Sequence, residues 1–164
     1  MKTTKRILAV DDDIDVLSVV ETILKNEGYE IVTANGKEEA LKKAKAEKFD
    51  LAICDVMMST QYEGFELASE LTTNPVYKQI PVLMQTSVNV FTSPDEDTMR
   101  FARNYRAEMK SDEFDVLLVE NVEFGKAGID YKNEKGAIVW LPINGFIPKP
   151  VTAKKLIEAV KRVL

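Results

Sequence analysis

Apolar positions along the chain fall into short continuous runs that alternate with stretches of helical spacing. Lys5 to Val10 ends in Ile7-Leu8-Ala9-Val10 and reads as a first strand. After Asp11-Asp12-Asp13, the residues Val16, Leu17, Val20, Ile23 and Leu24 recur on one helix face, and Gly28 stops that helix. Tyr29 to Thr33 is a second strand, and Lys37 to Lys48 a helix with Ala40, Leu41 and Ala44 on one side. Phe49 to Cys54 is a third strand with the buried run Leu-Ala-Ile-Cys, and it ends at Asp55. Gly64 to Leu71 forms the next helix, closed near Asn74-Pro75, and Ile80 to Gln85 is a fourth strand ending at Thr86-Ser87. Gly145 to Pro148 is a short strand before Lys149-Pro150. Thr152 caps a last helix whose Leu156, Ile157, Val160, Val163 and Leu164 are spaced for burial.

Strands alternating with helices imply an α/β fold, a parallel sheet with helices on both faces. The polar residues gather at the C-terminal ends of the strands, where this architecture builds its sites. One stretch does not fit. Between Thr86 and Lys149 a single crossover needs only ~15 to 25 residues, which leaves about 40 in excess. That excess has structure of its own. Ser93-Pro94-Asp95-Glu96 starts a helix that runs to about Lys110, Asp115 to Val119 reads as a strand, and Ile129 to Lys132 and Ala137 to Leu141 flank Asn133-Glu134-Lys135-Gly136 as a hairpin. The chain is expected to be a single domain over 1–164 with an insert at about 89–144.

Composition narrows the classes of function. A chain of 164 residues with 45% hydrophobic and 30% charged residues is long enough, and balanced enough, for one globular core. A net charge of −5 argues against non-specific nucleic-acid binding. No apolar run approaches the ~20 residues of a membrane span, and the basic Met1 to Arg6 is followed by too short an apolar segment for a signal peptide. A cytoplasmic location follows as the expectation. The chain has no histidine, which excludes Ser-His-Asp and Cys-His catalysis, histidine-ligated metals, and a role as histidine kinase or histidine phosphotransfer protein. The single cysteine, Cys54, lies in an apolar run and reads as a small core residue.

Four features then stand at four strand ends: Asp11 and Asp12, Asp55, Thr86, and Lys149. In a parallel sheet these ends converge on one edge. Three carboxylates together raise one another's pKa unless a cation is bound, and a hard divalent ion such as Mg²⁺ suits an oxygen-only set. A carboxylate beside such an ion can accept a phosphoryl group, with the metal and an ammonium neutralising the transferring oxygens. Asp13 reads as the cap of the first helix.

The stretches Ile-Leu-Ala-Val-Asp11-Asp12-Asp13, Leu-Ala-Ile-Cys-Asp55-Val-Met-Met, Ile-Pro-Val-Leu-Met-Gln-Thr86-Ser87 and Gly145-Phe-Ile-Pro-Lys149-Pro150 together resemble the response-regulator receiver family. The resemblance covers residues 5–88 and 145–164. It implies a doubly wound, five-stranded parallel sheet of flavodoxin-like order 2-1-3-4-5. It implies Asp55 as phosphoacceptor, Asp12 as a direct ligand of Mg²⁺ with Asp11 assisting through water, and the main-chain carbonyl of Met57 as a further ligand. It gives Thr86 as switch hydroxyl, Phe146 as switch aromatic and Lys149 as the phosphate-contacting cation, with a cis Lys149-Pro150 bond. The implied partners are a sensor histidine kinase or phosphotransfer protein as donor and a downstream protein, with no direct nucleic acid and no membrane. Because the chain ends at Leu164, output is expected through a partner, and the insert offers a surface for it or for a homodimer. The chain is expected to act on itself rather than as a turnover enzyme.

Three departures from the family pattern stand out. Ser59 takes the place of a proline, Gly64 arrives one residue late behind Glu63, and the long insert follows the switch threonine. The positions that flank the attacking water in the family are here Met57 and Val88, both apolar, so autodephosphorylation is expected to be slow. Arg100, Arg103, Arg106 and Lys110 form a basic stripe beside Phe101, Tyr105 and Met109. A solvated face and a packed face account for these, a partner-docking helix being the functional alternative. Gly125 and Gly128 resemble no phosphate loop. Two rival functions use the same residues. A haloacid-dehalogenase phosphatase would take Asp11 as nucleophile and Asp13 as general acid, but it would leave Asp55 idle. A phosphate-independent receiver-like module would bind through the insert.

Overall fold

The computed structural model describes residues 3–58, 60, 63–77, 79–87, 90–92, 95–100, 104, 116–121, 126–132 and 137–164. The chain divides into two compact units, Met1–Ser87 with Ile143–Leu164, and Val88–Pro142.

The first unit is a five-stranded parallel sheet. Its strands are β1 (Arg6–Val10), β2 (Glu30–Ala34), β3 (Leu51–Asp55), β4 (Val82–Thr86) and, late in the chain, β9 (Gly145–Pro148), in the order β2-β1-β3-β4-β9. This is the flavodoxin-like order that the family resemblance implies. Strand β3 is buried along its whole length and β1 everywhere but Arg6, as parallel strands covered on both faces must be. Alternate residues serve the two faces. Ile7, Ala9, Ile53, Leu83 and Ile147 belong to the cluster with Leu24 of helix α1 (Ile14–Asn26) and Leu156 and Val160 of the last helix, α4 (Ala153–Val163). Leu8, Ala52 and Met84 lie on the opposite face, which α2 (Lys37–Ala46) and α3 (Glu63–Thr73) cover. Burying a side chain such as Leu24, which is 0% exposed, contributes about 1.5–3 kcal/mol.

Local signals set the helix ends. Asp13 caps α1, its carboxylate accepting from the backbone N–H of Asp15 at 2.9 Å and of Val16 at 3.4 Å. Just past the C-cap, Gly28 takes φ +93°, a left-handed conformation natural to glycine, and turns the chain into β2. Thr152 caps α4 by accepting from the N–H of Lys155 at 3.3 Å. The Lys149-Pro150 peptide is cis. No helix among the described residues is long and apolar enough to cross a membrane.

The second unit carries its own four-stranded sheet: β5 (Val90–Thr92), β6 (Val116–Asn121), β7 (Lys126–Lys132) and β8 (Ile138–Ile143), in the order β5-β6-β7-β8. Strand β6 runs parallel to β5 and antiparallel to β7, with Leu118 opposite Ile129, both 0% exposed. Strands β6, β7 and β8 take up the segments read as a strand and a hairpin, β7 beginning earlier than expected, at Lys126. The connecting Asn133-Glu134-Lys135-Gly136 lies outside the described residues. The short β5 was not anticipated, since three residues are too few to show a period of two. Residues 96–100 are helical, and at their start Asp95 accepts from Thr98 N–H at 2.7 Å. Ser93 and most of the stretch to Lys110 lie outside the described residues. They include Arg103, Arg106 and Lys110 of the basic stripe and Phe101, Tyr105 and Met109 of the apolar one. Arg100 is exposed and lies 3.7 Å from Asp97. On the β7 strand, Gly128 lies beneath the indole of Trp140, where any Cβ would overlap the ring.

Candidate functional site

Register delivers the site residues to one edge of the first sheet. Val10 pairs with Ala34 and Cys54, Asp55 with Gln85, and Thr86 with Pro148, so Asp11, Asp55, Thr86 and Lys149 all stand at or just beyond C-terminal strand ends. Backbone bonds carry the ladder one step further. Asp11 N–H donates to Ala34 O at 3.2 Å, Val56 N–H to Gln85 O at 2.9 Å, and Lys149 N–H to Thr86 O at 2.8 Å.

The carboxylates of Asp11, Asp12 and Asp55 offer oxygens that all lie within 4.8 Å of one another. Asp11 and Asp55 are buried, whereas Asp12 is exposed and leaves the cluster open to solvent on one side. Lys149 reaches into it, its Nζ lying 3.0 Å from Asp55 Oδ1 and 3.2 Å from Asp11 Oδ2. Asp11 Oδ1 also accepts from the N–H of Asp13 at 2.9 Å, which fixes the turn into α1. The carboxylate of Asp13 is occupied at the helix cap.

The electrostatics follow from burial and crowding. Burial pushes Asp55 up to about 6, helped by the charge of Asp11 and opposed by Lys149 and by the Met57 backbone N–H. Asp12 is raised as well, by burial and then by its hydrogen bond with Asp11 and that residue's charge. For Lys149 burial acts against the charged form, but the hydrogen bonds and charges of Asp55 and Asp11 outweigh it and raise its pKa. One ammonium against three carboxylates leaves a negative, oxygen-only cluster. Such a donor set fits a hard divalent cation.

Thr86 is 3% exposed at the end of β4. Phe146, half-buried on β9, is two residues before Pro148, the partner of Thr86, and so shares its sheet face. In the loop after Asp55, the Met57 side chain is 45% exposed. Ser59 and Val88 lie outside the described residues. Gly64 opens α3 against the backbone of β3, where a Cβ would overlap the carbonyl oxygens of Asp55 and Val56. Beside it Glu63 crosses to α2, a contact that sequence reasoning missed. The Thr60-x-x-Glu63 spacing is that of a capping box, and Glu63 N–H donates to Thr60 Oγ1, but that spacing gives no sign of the bond from Lys37 N–H.

The profile of the response regulator receiver domain matches residues 7–96. Among curated relatives, the alkaline phosphatase synthesis transcriptional regulatory protein PhoP of Bacillus subtilis (strain 168) is 39% identical over 83 residues, 51% of this chain and 33% of its own. The transcriptional regulatory protein ZraR of Klebsiella oxytoca is 35% identical over 112 residues, 68% of this chain and 24% of its own. The chain thus spans a third or less of the length of these relatives. Among solved structures, chemotaxis protein CheY4 of Vibrio cholerae has a TM-score of 0.63 and 25% identity, covering 99% of this chain and 100% of its own. The response regulator TrrA of Thermotoga maritima, solved in complex with Mg(2+)-BeF, has a TM-score of 0.60 and 25% identity, covering 98% of this chain and 100% of its own.

Proposed function

This chain belongs to the response-regulator receiver family, and from that premise we propose that it is a phosphorylatable switch whose acceptor is Asp55. The observation that carries the reading is the Lys149 ammonium lying between Asp55 and Asp11 at 3.0 and 3.2 Å, inside a cluster of three carboxylates. The donor is a phosphohistidine on a sensor kinase or phosphotransfer protein. An Asp55 carboxylate oxygen attacks phosphorus, the phosphorus–nitrogen bond breaks, and the imidazole leaves, taking a proton. Lys149 neutralises the transferring oxygens, and the Thr86 hydroxyl hydrogen-bonds the arrived phosphoryl, with Phe146 following it as the family's switch aromatic. The residues that would hold Mg²⁺ are Asp11, Asp12, Asp55 and the main-chain carbonyl of Met57. When bound, the ion would supply the positive charge that three carboxylates and a phosphoryl group require.

The protein acts on itself rather than as a turnover enzyme. It works in the cytoplasm and signals through a partner protein, for which the unit Val88–Pro142 is the surface outside the switch itself. The thioether of Met57 cannot orient water, so the acyl phosphate is long-lived.

Intact mass after incubation with acetyl phosphate and Mg²⁺ tests this reading. The native protein gains one phosphate, which persists for many minutes after the donor is removed, and Asp55→Asn gains none. Equal gains in both proteins would move the acceptor elsewhere. No gain in either would favour a phosphate-independent interaction module.

A further inference from the structure

We propose that Glu63 is a positioning residue, which holds the acceptor loop and the Met57 carbonyl in place by capping the neighbouring helix α2. The inference rests on the reading of Asp55 and its metal given above. Helix α2 begins after Gly36, which has no side chain to cap it. The N–H of Lys37 donates instead to Glu63 Oε1, 2.9 Å away and contributed by α3. A carboxylate at a helix N-terminus is stabilised both by the hydrogen bond and by the dipole. The Lys37 Nζ–Glu66 Oε2 pair at 2.7 Å ties the same two helices a second time.

Glu63 is itself fixed from behind. Its N–H donates to Thr60 Oγ1 at 3.1 Å, at capping-box spacing. The next residue, Gly64, presses on the carbonyls of Asp55 and Val56. Residues 63 and 64 therefore anchor the far end of the loop twice, once to α2 and once to β3. Asp55 and Val56 directly precede Met57, so fixing Gly64 against their carbonyls limits the freedom of the Met57 carbonyl. Loss of the Glu63 carboxylate removes the cap on α2 and leaves the Lys37–Glu66 pair and the packing of Gly64 to hold this end. Glu63 is also the residue that precedes the late glycine, so the cap accompanies the loop's added length.

The test is calorimetric titration with Mg²⁺ alone, at a temperature where every variant is folded by circular dichroism. The proteins are the native chain, Glu63→Ala, Glu63→Gln and Glu39→Ala. Glu39 accepts from Asn35 N–H in the turn before α2 and serves as the control for a lost cap. Glu63→Ala is expected to weaken Mg²⁺ binding about threefold to tenfold and to speed hydrogen exchange at Lys37 N–H. Glu63→Gln keeps an acceptor and recovers most of the affinity, while Glu39→Ala binds as the native chain does. Should Glu63→Ala fail to fold, Glu63→Asp, one methylene too short, replaces it. Native-like Mg²⁺ affinity in Glu63→Ala, or an equal loss in Glu39→Ala, would overturn the inference alone. A native chain that takes up no Mg²⁺ would overturn the proposed function and this inference with it.

Discussion

At Asp55 opposed influences meet: burial raises its pKa, Lys149 and the Met57 N–H draw it back, and Asp11 raises it, the balance lying at about 6. A carboxyl raised in this way stabilises the metal-free fold below its ordinary pKa of 3.8, and that contribution is lost as pH climbs through about 6. Thermal unfolding in EDTA should therefore show the native protein gaining stability from pH 7 to pH 5, and Asp55→Asn gaining distinctly less. Equal pH slopes in the two proteins would show that Asp55 is not strained by its surroundings. The residues of this cluster were legible in the sequence because each follows an unbroken apolar run. Such a run marks a buried strand, and parallel strands deliver their ends to one edge. Glu63 was not legible as a partner of Lys37. Its contact depends on how α2 packs on α3, and helical periodicity says nothing about that packing.

The same division holds for elements. The strands and helices of the first unit stand where period and caps placed them, with ends shifted by a residue or two where chain geometry decides. Phe49 and Asp50, for instance, precede β3, and Asp50 meets Arg6 of β1 through its side chain as well as its backbone, its carboxylate accepting from Arg6 N–H at 2.8 Å. In the second unit, β5 is too short to carry a pattern. Gly128, which looks like a loop residue, lies inside β7 because Trp140 occupies the space above it. Trp140 is the chain's only tryptophan and is 46% exposed, so its emission reports this contact. Gly128→Ala should displace the indole, shift its emission to the red and lower the stability of the unit by about 1–3 kcal/mol, as overpacked sites do. An unchanged spectrum would mean that the ring sits elsewhere.

For the whole molecule, the net charge of −5 and the carboxylate cluster act in the same direction: both concentrate negative charge, and under the proposed function a divalent cation would relieve it. Ligand that binds only the folded state stabilises it by about 2.7 kcal/mol at a hundredfold excess over Kd. Millimolar Mg²⁺ should thus raise the melting temperature by several degrees in the native protein and hardly at all in Asp12→Ala. A rise of equal size in both would point to general charge screening instead. The chain's path adds something further. Strands β4 and β9 are sheet neighbours, tied by Val82 N–H to Asn144 Oδ1 at 3.0 Å, yet the whole of Val88–Pro142 intervenes between them in the sequence. A long excursion costs closure entropy, though only about 0.6 kcal/mol for each doubling of length. The larger effect falls on the order of events. Four strands can pair before β9 arrives, with Asp11, Asp12 and Asp55 already gathered and no ammonium among them. Among the described residues the cluster's cation, Lys149, follows the strand that is last in the sequence, so a chain still emerging holds the three carboxylates of the site before it holds the ammonium that balances them.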